Sequence, residues 1–416
     1  MNKQILLFTT IILITIGCSA PNEGDWNADP EIISEREEQR PEHLWHENEV
    51  PSYRLPELLQ TSDGSIVRST EEWPQKRMET LELFRNYMYG RRPGSPDQLT
   101  FDIVEEDEAA MEGAATLRRI NVQSAHQGRS HQFEVILFLP NEVSEPAPVF
   151  LLLNNRSKDN TDPTREIKSD FWPAEQVIER GYGIAVLQNE DLAPDNTETH
   201  KEGVIQLFEG ETDAGERPSD AWEALAAWGW GASRVMDYFE TDSRIDESQV
   251  AVLGHSRGGK ASLWAGAEDE RFSIVISNES GSGGAALSRR RFGETVKDVN
   301  RFTHWFAENY NTYNDNEGEL PFDQHMLISL IAPRAVYVAS ANGDLWADPK
   351  GEFLSLAHAS PVYELWGHES IAPADMPALN TPLMVGPRGY HVREGNHNLT
   401  AYDWHNFMDF ADSLWR

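Results

Sequence analysis

Cysteine and basic residues are scarce in this chain of 416 residues. Cys18 is its single cysteine, so no disulfide can form within it. Its 35 Lys and Arg residues face 69 Asp and Glu residues, which leaves a formal net charge of −34. Such a chain would repel a phosphate backbone, because nucleic-acid binding needs clustered Lys and Arg. The composition therefore argues against DNA or RNA as a partner and predicts a well-solvated, acidic surface.

The N-terminal residues have the pattern of a targeting signal. Residues 5–16 are all apolar or threonine, a run that is too short to span a bilayer as a helix. With the basic Lys3 before this run and small residues around Cys18, the pattern resembles a bacterial lipoprotein signal, in which the cysteine becomes the lipidated first residue. We therefore predict a signal peptide over residues 1–17 and an exported, lipid-anchored protein. An ordinary cleaved signal peptide is the alternative.

A change in composition separates the next segment from the rest of the chain. Residues 18–50 are rich in Glu, Asp, Asn and Pro and have few clustered apolar residues. That composition predicts an acidic, flexible tether, because it cannot bury enough apolar surface to fold alone. Residues 51–416 are long enough for a large core, and we expect them to form one catalytic domain.

Strand and helix patterns alternate along most of this expected domain. Apolar runs predict strands at 133–140, 148–155, 182–188, 250–254, 272–278 and 335–340. Helical periodicity is clearest at 73–90, 172–181, 221–239 and 400–415. This alternation predicts a mostly parallel central sheet with helices on both faces, which is a three-layer α/β fold.

The residues Gly254-His255-Ser256-Arg257-Gly258 match the G-x-S-x-G pattern. The pattern is informative here because it lies between a predicted strand and a predicted helix. Side chains in place of the two glycines would collide with backbone at so sharp a turn. The turn would also expose the serine hydroxyl at a helix N-terminus, which favours a developing oxyanion. We therefore predict an α/β-hydrolase fold with Ser256 as its nucleophile.

A serine nucleophile needs a histidine base and an acid that orients the base. In this fold the histidine comes late in the chain, and His397 lies in a loop just before the last predicted helix. His391 is the alternative, but its apolar neighbours indicate a structural residue on an extended segment. Glu279 and Asp344 each follow a predicted strand, and fold reasoning alone does not choose between them as the acid.

With these residues in place, the chain resembles the glucuronoyl esterases of carbohydrate esterase family fifteen, bacterial type. The resemblance covers roughly residues 80–416 and rests on the segments 254–260, 277–295, 303–306, 320–349 and 389–404. It implies an α/β-hydrolase that cleaves the ester between (4-O-methyl-)glucuronic acid of xylan and a lignin alcohol. It also implies no metal and no organic cofactor. Nothing in the sequence indicates an obligate protein partner.

The resemblance also implies roles for individual residues. Arg257 matches an arginine that stabilises the oxyanion, and Lys260 matches a lysine that binds sugar hydroxyls. Trp346 matches a tryptophan that stacks on the sugar. Glu294 matches a carboxylate that accepts sugar hydroxyl hydrogens in the bacterial members.

The acid and one neighbour of the nucleophile are less well defined by the resemblance. The family pattern implies Glu279 as the main acid. Some bacterial members have an acid at the Asp344 position, alone or as well, so Asp344 is a candidate second acid for His397. Fungal members have a cysteine directly before the serine, where this chain has His255. The role of His255 is therefore open from the sequence.

Two other functions are compatible with the same residues. One is a different ester specificity on the same fold, such as an acetyl or feruloyl esterase. The other is a surface glycan-binding protein that kept the fold without catalysis. Cleavage of glucuronate esters compared with acetyl esters would distinguish all three.

Overall fold

The computed structural model describes residues 26, 28–210 and 217–416. The predicted signal peptide and Cys18 lie outside the described residues. Within the described ranges, no helix is both long and apolar enough to cross a membrane.

Ten strands form a single sheet. They are β1 Gln98–Ala110, β2 Ala115–His126, β3 Arg129–Pro140, β4 Ala147–Asn154, β5 Gly183–Gln188, β6 Ile245–His255, β7 Ile274–Asn278, β8 Ala335–Ala341, β9 Leu383–Val385 and β10 Arg388–Arg393. Their spatial order is β1-β2-β3-β5-β4-β6-β7-β8-β10-β9. The pairs from β5 to β10 are parallel, and antiparallel strands flank them at both edges.

Helices cover both faces of this sheet. They are α1 Pro30–Gln39, α2 Trp73–Tyr87, α3 Ala174–Glu179, α4 Val204–Glu209, α5 Ala224–Phe239, α6 Arg257–Glu268, α7 Val296–Val299, α8 Gln324–Ser329, α9 Pro349–His358, α10 Ser360–Glu364 and α11 Ala401–Trp415.

The central strands are apolar along their whole length because both of their faces are buried. Along β4, Val149 and Leu151 belong to one hydrophobic core, whereas Phe150 and Leu152 belong to the core on the opposite face. The first core includes helices α2, α5, α6 and α8, and the second includes α3 and α11. This arrangement confirms the predicted three-layer α/β-hydrolase fold.

The two long N-terminal strands were not predicted. Strand β1 is acidic and exposed along most of its length, so it lacks the alternation of apolar and polar residues that reveals a half-buried strand. It is held instead by its pairing with β2, including Arg118 with Glu106 and Arg119 with Glu105.

Residues 28–50, called the N-terminal segment below, are folded onto the domain. The segment contains helix α1, which is capped by the side chain of Asp29 and has Pro30 in its first turn. Trp45 follows the helix, is 2% exposed and packs against Phe292 and Leu345. The prediction of a flexible tether is therefore wrong for these residues.

The prediction failed because the apolar side chains of this segment pack against another part of the chain rather than against one another. Ala28, Ile32, Ile33, Trp45 and Val50 are too few to form a core with one another. They are sufficient to cover an apolar patch on another part of the chain, which composition alone does not reveal.

Candidate active site

The predicted catalytic residues follow neighbouring parallel strands. Ser256 follows β6, Glu279 follows β7, Asp344 lies shortly after β8, and His397 lies in the loop after β10. Since the carboxyl ends of parallel strands meet at one edge of a sheet, the topology places these four residues together.

Ser256 occupies the sharp turn that the sequence predicts. Its φ and ψ are 57° and −129°, a strained conformation for a residue other than glycine. A Cβ atom on Gly254 would lie 2.1 Å from the Gly258 carbonyl oxygen, and a Cβ atom on Gly258 would lie 2.8 Å from the Leu153 carbonyl oxygen. Both glycines are therefore required by close backbone contacts, as expected.

The His397 imidazole faces both candidate acids. Its Nδ1 lies 2.6 Å from Asp344 Oδ2 and 3.3 Å from Glu279 Oε2. Asp344, which the resemblance implies as the second acid, is thus the nearer partner. His391 is instead buried within β10, where it bonds to Tyr337 and Asp403.

The environment of this cluster shifts two pKa values. Burial raises the pKa of the Glu279 carboxyl to about 8, with the negative charge of Asp344 adding to the effect. Burial lowers the pKa of His397, but the hydrogen bonds and charges of Asp344 and Glu279 outweigh burial and raise this pKa to about 10. The two acids therefore stabilise the protonated imidazole.

Arg393 fixes the loop that carries His397. Its Nη2 donates to the carbonyl oxygens of Asn396 and Asn398, which flank the histidine, at 3.1 and 2.7 Å. The same guanidinium pairs with Glu279 at 2.5 Å and with Asp403 at 3.0 Å. Arg393 lies within one of the segments that carry the resemblance, but its role as an anchor for this loop was not predicted.

His255 is a buried imidazole packed against the ring of His397. The His255 and His397 ring centroids lie 4.3 Å apart, and His255 is fully buried. Arg156 contacts Nε2 at 3.0 Å and can only donate, so Nε2 accepts and Nδ1 donates to Asn278 Oδ1 at 2.6 Å. Burial lowers the pKa of His255 well below its usual value, and the charge of His397 lowers it further. His255 thus supports His397 without adding a second positive charge.

Asp195 holds the predicted oxyanion arginine, and sequence reasoning missed it. Its carboxylate accepts a hydrogen bond from Arg257 Nε, and from His304 Nε2 and Trp305 Nε1 at 2.8 Å each. Arg257 also donates to the Asn155 carbonyl oxygen at 3.2 Å. No motif marks Asp195, because its partners lie 62 and 110 residues away along the chain.

The predicted sugar-binding residues form a connected group beside this turn. Lys260 is buried, and its ammonium group donates to the carbonyl oxygens of Ser280 and Ser282 and to Glu294 Oε2 at 3.0 Å. Trp346 Nε1 donates to Glu294 Oε1 at 3.1 Å. The three N–H donors of Lys260 thus have acceptors within the protein, so its direct effect here is to orient Glu294.

The same cluster has a spacing that is compatible with a metal ion. Ligand atoms of Glu279, Asp344 and His397 lie within 4.8 Å of one another. Arg393 already pairs with Glu279, and Asp344 already engages His397 Nδ1. Together with the strained serine turn beside them, these contacts fit an acid–base–nucleophile arrangement. Sensitivity of the activity to a chelator distinguishes metal chemistry from serine chemistry at this cluster.

Comparison with known proteins gives a consistent set of relatives. The family described as "Glucuronyl esterase, fungi" matches residues 121–367. Carbohydrate esterase MZ0003 from an unknown prokaryotic organism is 39% identical to this chain over an alignment of 442 residues, gaps included. The alignment covers 99% of this chain and 98% of that protein. A 4-O-methyl-glucuronoyl methylesterase of Schizophyllum commune is 29% identical over 329 residues. That alignment covers 75% of this chain and 74% of the fungal protein.

A solved structure supports the same relationship. The glucuronoyl esterase from Solibacter usitatus superposes with a TM-score of 0.83 at 39% identity. The match covers 89% of this chain and 100% of that structure.

Proposed function

This chain belongs to the glucuronoyl esterase family, carbohydrate esterase family fifteen, and on that premise we propose that it hydrolyses esters of (4-O-methyl-)glucuronic acid, as found between xylan and lignin alcohols. The observation that carries the proposal is the position of His397. The ring packs on His255, the residue before Ser256, while its Nδ1 faces Asp344 and Glu279. This arrangement is suited to activating a serine for attack on an ester.

In the proposed reaction, the neutral form of His397 takes the proton of the Ser256 hydroxyl at Nε2 as the serine oxygen attacks the uronoyl carbonyl carbon. Asp344 stabilises the imidazolium that forms, with Glu279 as the second acid. The carbonyl oxygen becomes an oxyanion, which Arg257 and the N–H groups in the first turn of α6 stabilise. The alcohol leaves with the proton from His397. Water then hydrolyses the acyl-enzyme, which releases glucuronate and restores Ser256.

In this proposal, Lys260, Glu294 and Trp346, which lie beside the nucleophile, recognise the uronic acid. The Glu294 carboxylate can accept hydrogen bonds from sugar hydroxyls, and Lys260 and Trp346 fix its orientation. The flat Trp346 ring suits contact with the C–H surface of a sugar. These roles require no metal or organic cofactor.

The direct test is Ser256→Ala, with benzyl glucuronate as substrate. We expect a loss of roughly 10⁴-fold or more in turnover with an unchanged fold, because no hydroxyl remains to attack the ester. Ser262→Ala is a matched control, since this serine lies on the same helix and donates to the carbonyl oxygens of Gly259 and Ile276. Normal turnover by Ser256→Ala, or loss of activity with a chelator, would rule out the serine mechanism.

Substrate preference tests the acyl specificity separately. A glucuronoyl esterase should prefer methyl or benzyl glucuronate over acetyl and feruloyl esters. A preference for an uncharged acyl group would instead indicate another carbohydrate esterase, and binding without turnover would indicate a glycan-binding protein.

We also propose that the protein is exported and anchored by a lipid on Cys18. The supporting observation is the sequence pattern around this residue. Cys18→Ala should move the protein from the membrane fraction of the producing cells to the soluble fraction. An unchanged distribution would contradict the anchor while leaving the esterase proposal intact.

A further inference from the structure

The N-terminal segment is tied to both sides of Glu294 along the chain. On one side, the Gly293 N–H donates to the Leu44 carbonyl oxygen at 3.0 Å. On the other side, His43 Nε2 lies 2.9 Å from Asp298 Oδ2. Asp298 in turn accepts hydrogen bonds from the backbone N–H and the hydroxyl of Thr295 at 3.0 and 2.7 Å. The backbone around Glu294 is therefore fixed by residues about 250 positions earlier in the chain.

The same segment surrounds Trp346. The Arg40 guanidinium lies over the indole at 4.0 Å from the ring centroid. The His43 ring approaches edge-on at 4.9 Å, and the Trp45 centroid lies 6.2 Å away. Among the described residues Arg40 forms no ion pair, although the chain carries 69 acidic residues. The contact between the guanidinium and the indole is a cation–π interaction.

These contacts reach the sugar-binding carboxylate through one more bond. Trp346 Nε1 donates to Glu294 Oε1, while Lys260 holds the second oxygen of the same carboxylate. A rotation of the indole would remove one of the two bonds that orient Glu294. Arg40 is therefore linked to Glu294 through Trp346.

We propose that the N-terminal segment is a positioning element of the sugar site, in which Arg40 holds the Trp346 indole and thereby sets the orientation of Glu294 toward the hydroxyls of a uronic acid. This inference rests on the proposed esterase function. It assigns Arg40 to recognition of the sugar and gives it no part in the attack on the ester.

The test compares KM and kcat of Arg40→Ala for benzyl glucuronate. We expect KM to rise about three- to tenfold, the loss typical of one partly buried cation–π contact, with little change in kcat. Arg40→Lys keeps a cation and should recover part of the loss. Cleavage of 4-nitrophenyl acetate, which carries no sugar, should be unaffected, because the catalytic turn is unchanged.

A matched control addresses stability. Arg234 lies over the Trp230 ring at 5.0 Å on helix α5, within the core and away from the sugar site. Arg234→Ala should lower the melting temperature without raising KM. An unchanged KM in Arg40→Ala, or equal losses for the glucuronate and acetate esters, would overturn the inference. If the wild-type protein cleaves acetate but not glucuronate esters, the proposed function itself fails.

Discussion

Ser256, Glu279, Asp344 and His397 follow neighbouring parallel strands. Glu294 lies further along the connection after β7, and Trp346 lies in the 3₁₀ turn Leu345–Ala347 after β8. Residues 40–45 contact Trp346 and the backbone next to Glu294. The sheet itself brings the first group together, because the carboxyl ends of its parallel strands lie at the same edge. The second group depends on contacts between distant parts of the chain. Changes in the first group should therefore affect kcat, whereas changes in the second should affect KM.

The strongest test of this division compares the two acids. We expect Asp344→Asn to lower kcat/KM by roughly 10³-fold or more, because it removes the nearer partner of His397 Nδ1. Glu279→Gln should lower it only about tenfold. Equal losses would show that both carboxylates act together, and a larger loss in Glu279→Gln would restore Glu279 as the main acid.

The pH dependence of the same variants provides a second readout. Desolvation lowers the pKa of His397, but the hydrogen bonds and charges of Asp344 and Glu279 outweigh it and raise this pKa to about 10. Removing the charge of Asp344 should lower this pKa, so the neutral base persists to lower pH. The acidic limb of the kcat/KM profile should therefore shift to lower pH in Asp344→Asn. A shift to higher pH would contradict the assigned electrostatics.

The next effect in size concerns Arg257. Asp195→Asn should lower kcat by about 100-fold, because Arg257, the proposed oxyanion donor, loses its charged partner. Asp191→Asn is the control, since this nearby carboxylate pairs with the exposed Lys158. A change in KM alone would place Asp195 with the sugar site rather than with the catalytic turn.

A smaller effect is expected on the sugar side. Glu294→Gln should raise KM for benzyl glucuronate about tenfold, which corresponds to one charge-assisted hydrogen bond. Hydrolysis of 4-nitrophenyl acetate should be unchanged. A comparable loss with both substrates would mean that Glu294 supports the catalytic turn as well.

The smallest kinetic effect is expected at His255. His255→Phe keeps a ring against His397 but leaves Arg156 and Asn278 without their partner. We expect a loss of about 1–3 kcal/mol in the free energy of unfolding, measured with denaturant, and less than a tenfold change in kcat. A much larger loss in kcat at unchanged stability would give His255 a direct part in the reaction.

The same contrast explains what could be predicted from the sequence. The buried strands are continuous apolar runs, and the turn at Ser256 has an unusual glycine pattern, so both were found. His397 was identified by its place before the last helix. Arg393 and Asp195 were missed, because each acts through contacts that only the folded chain brings together.

The N-terminal segment shows the limit of composition as evidence. Few apolar residues and many charges predict disorder when a segment is considered alone. Trp45 is nevertheless buried against Phe292 and Leu345, which lie about 250 and 300 positions later. A segment with a small apolar set can be ordered when another surface is shaped to receive it.

If Cys18 carries the proposed lipid, the folded N-terminal segment also shortens the stretch of chain between the lipid and the folded domain. Only nine residues lie between Cys18 and Ala28. Fully extended, they would reach about 35 Å, compared with roughly 110 Å if the whole stretch to residue 50 were free. The hydrolase would then work within a few nanometres of the lipid surface.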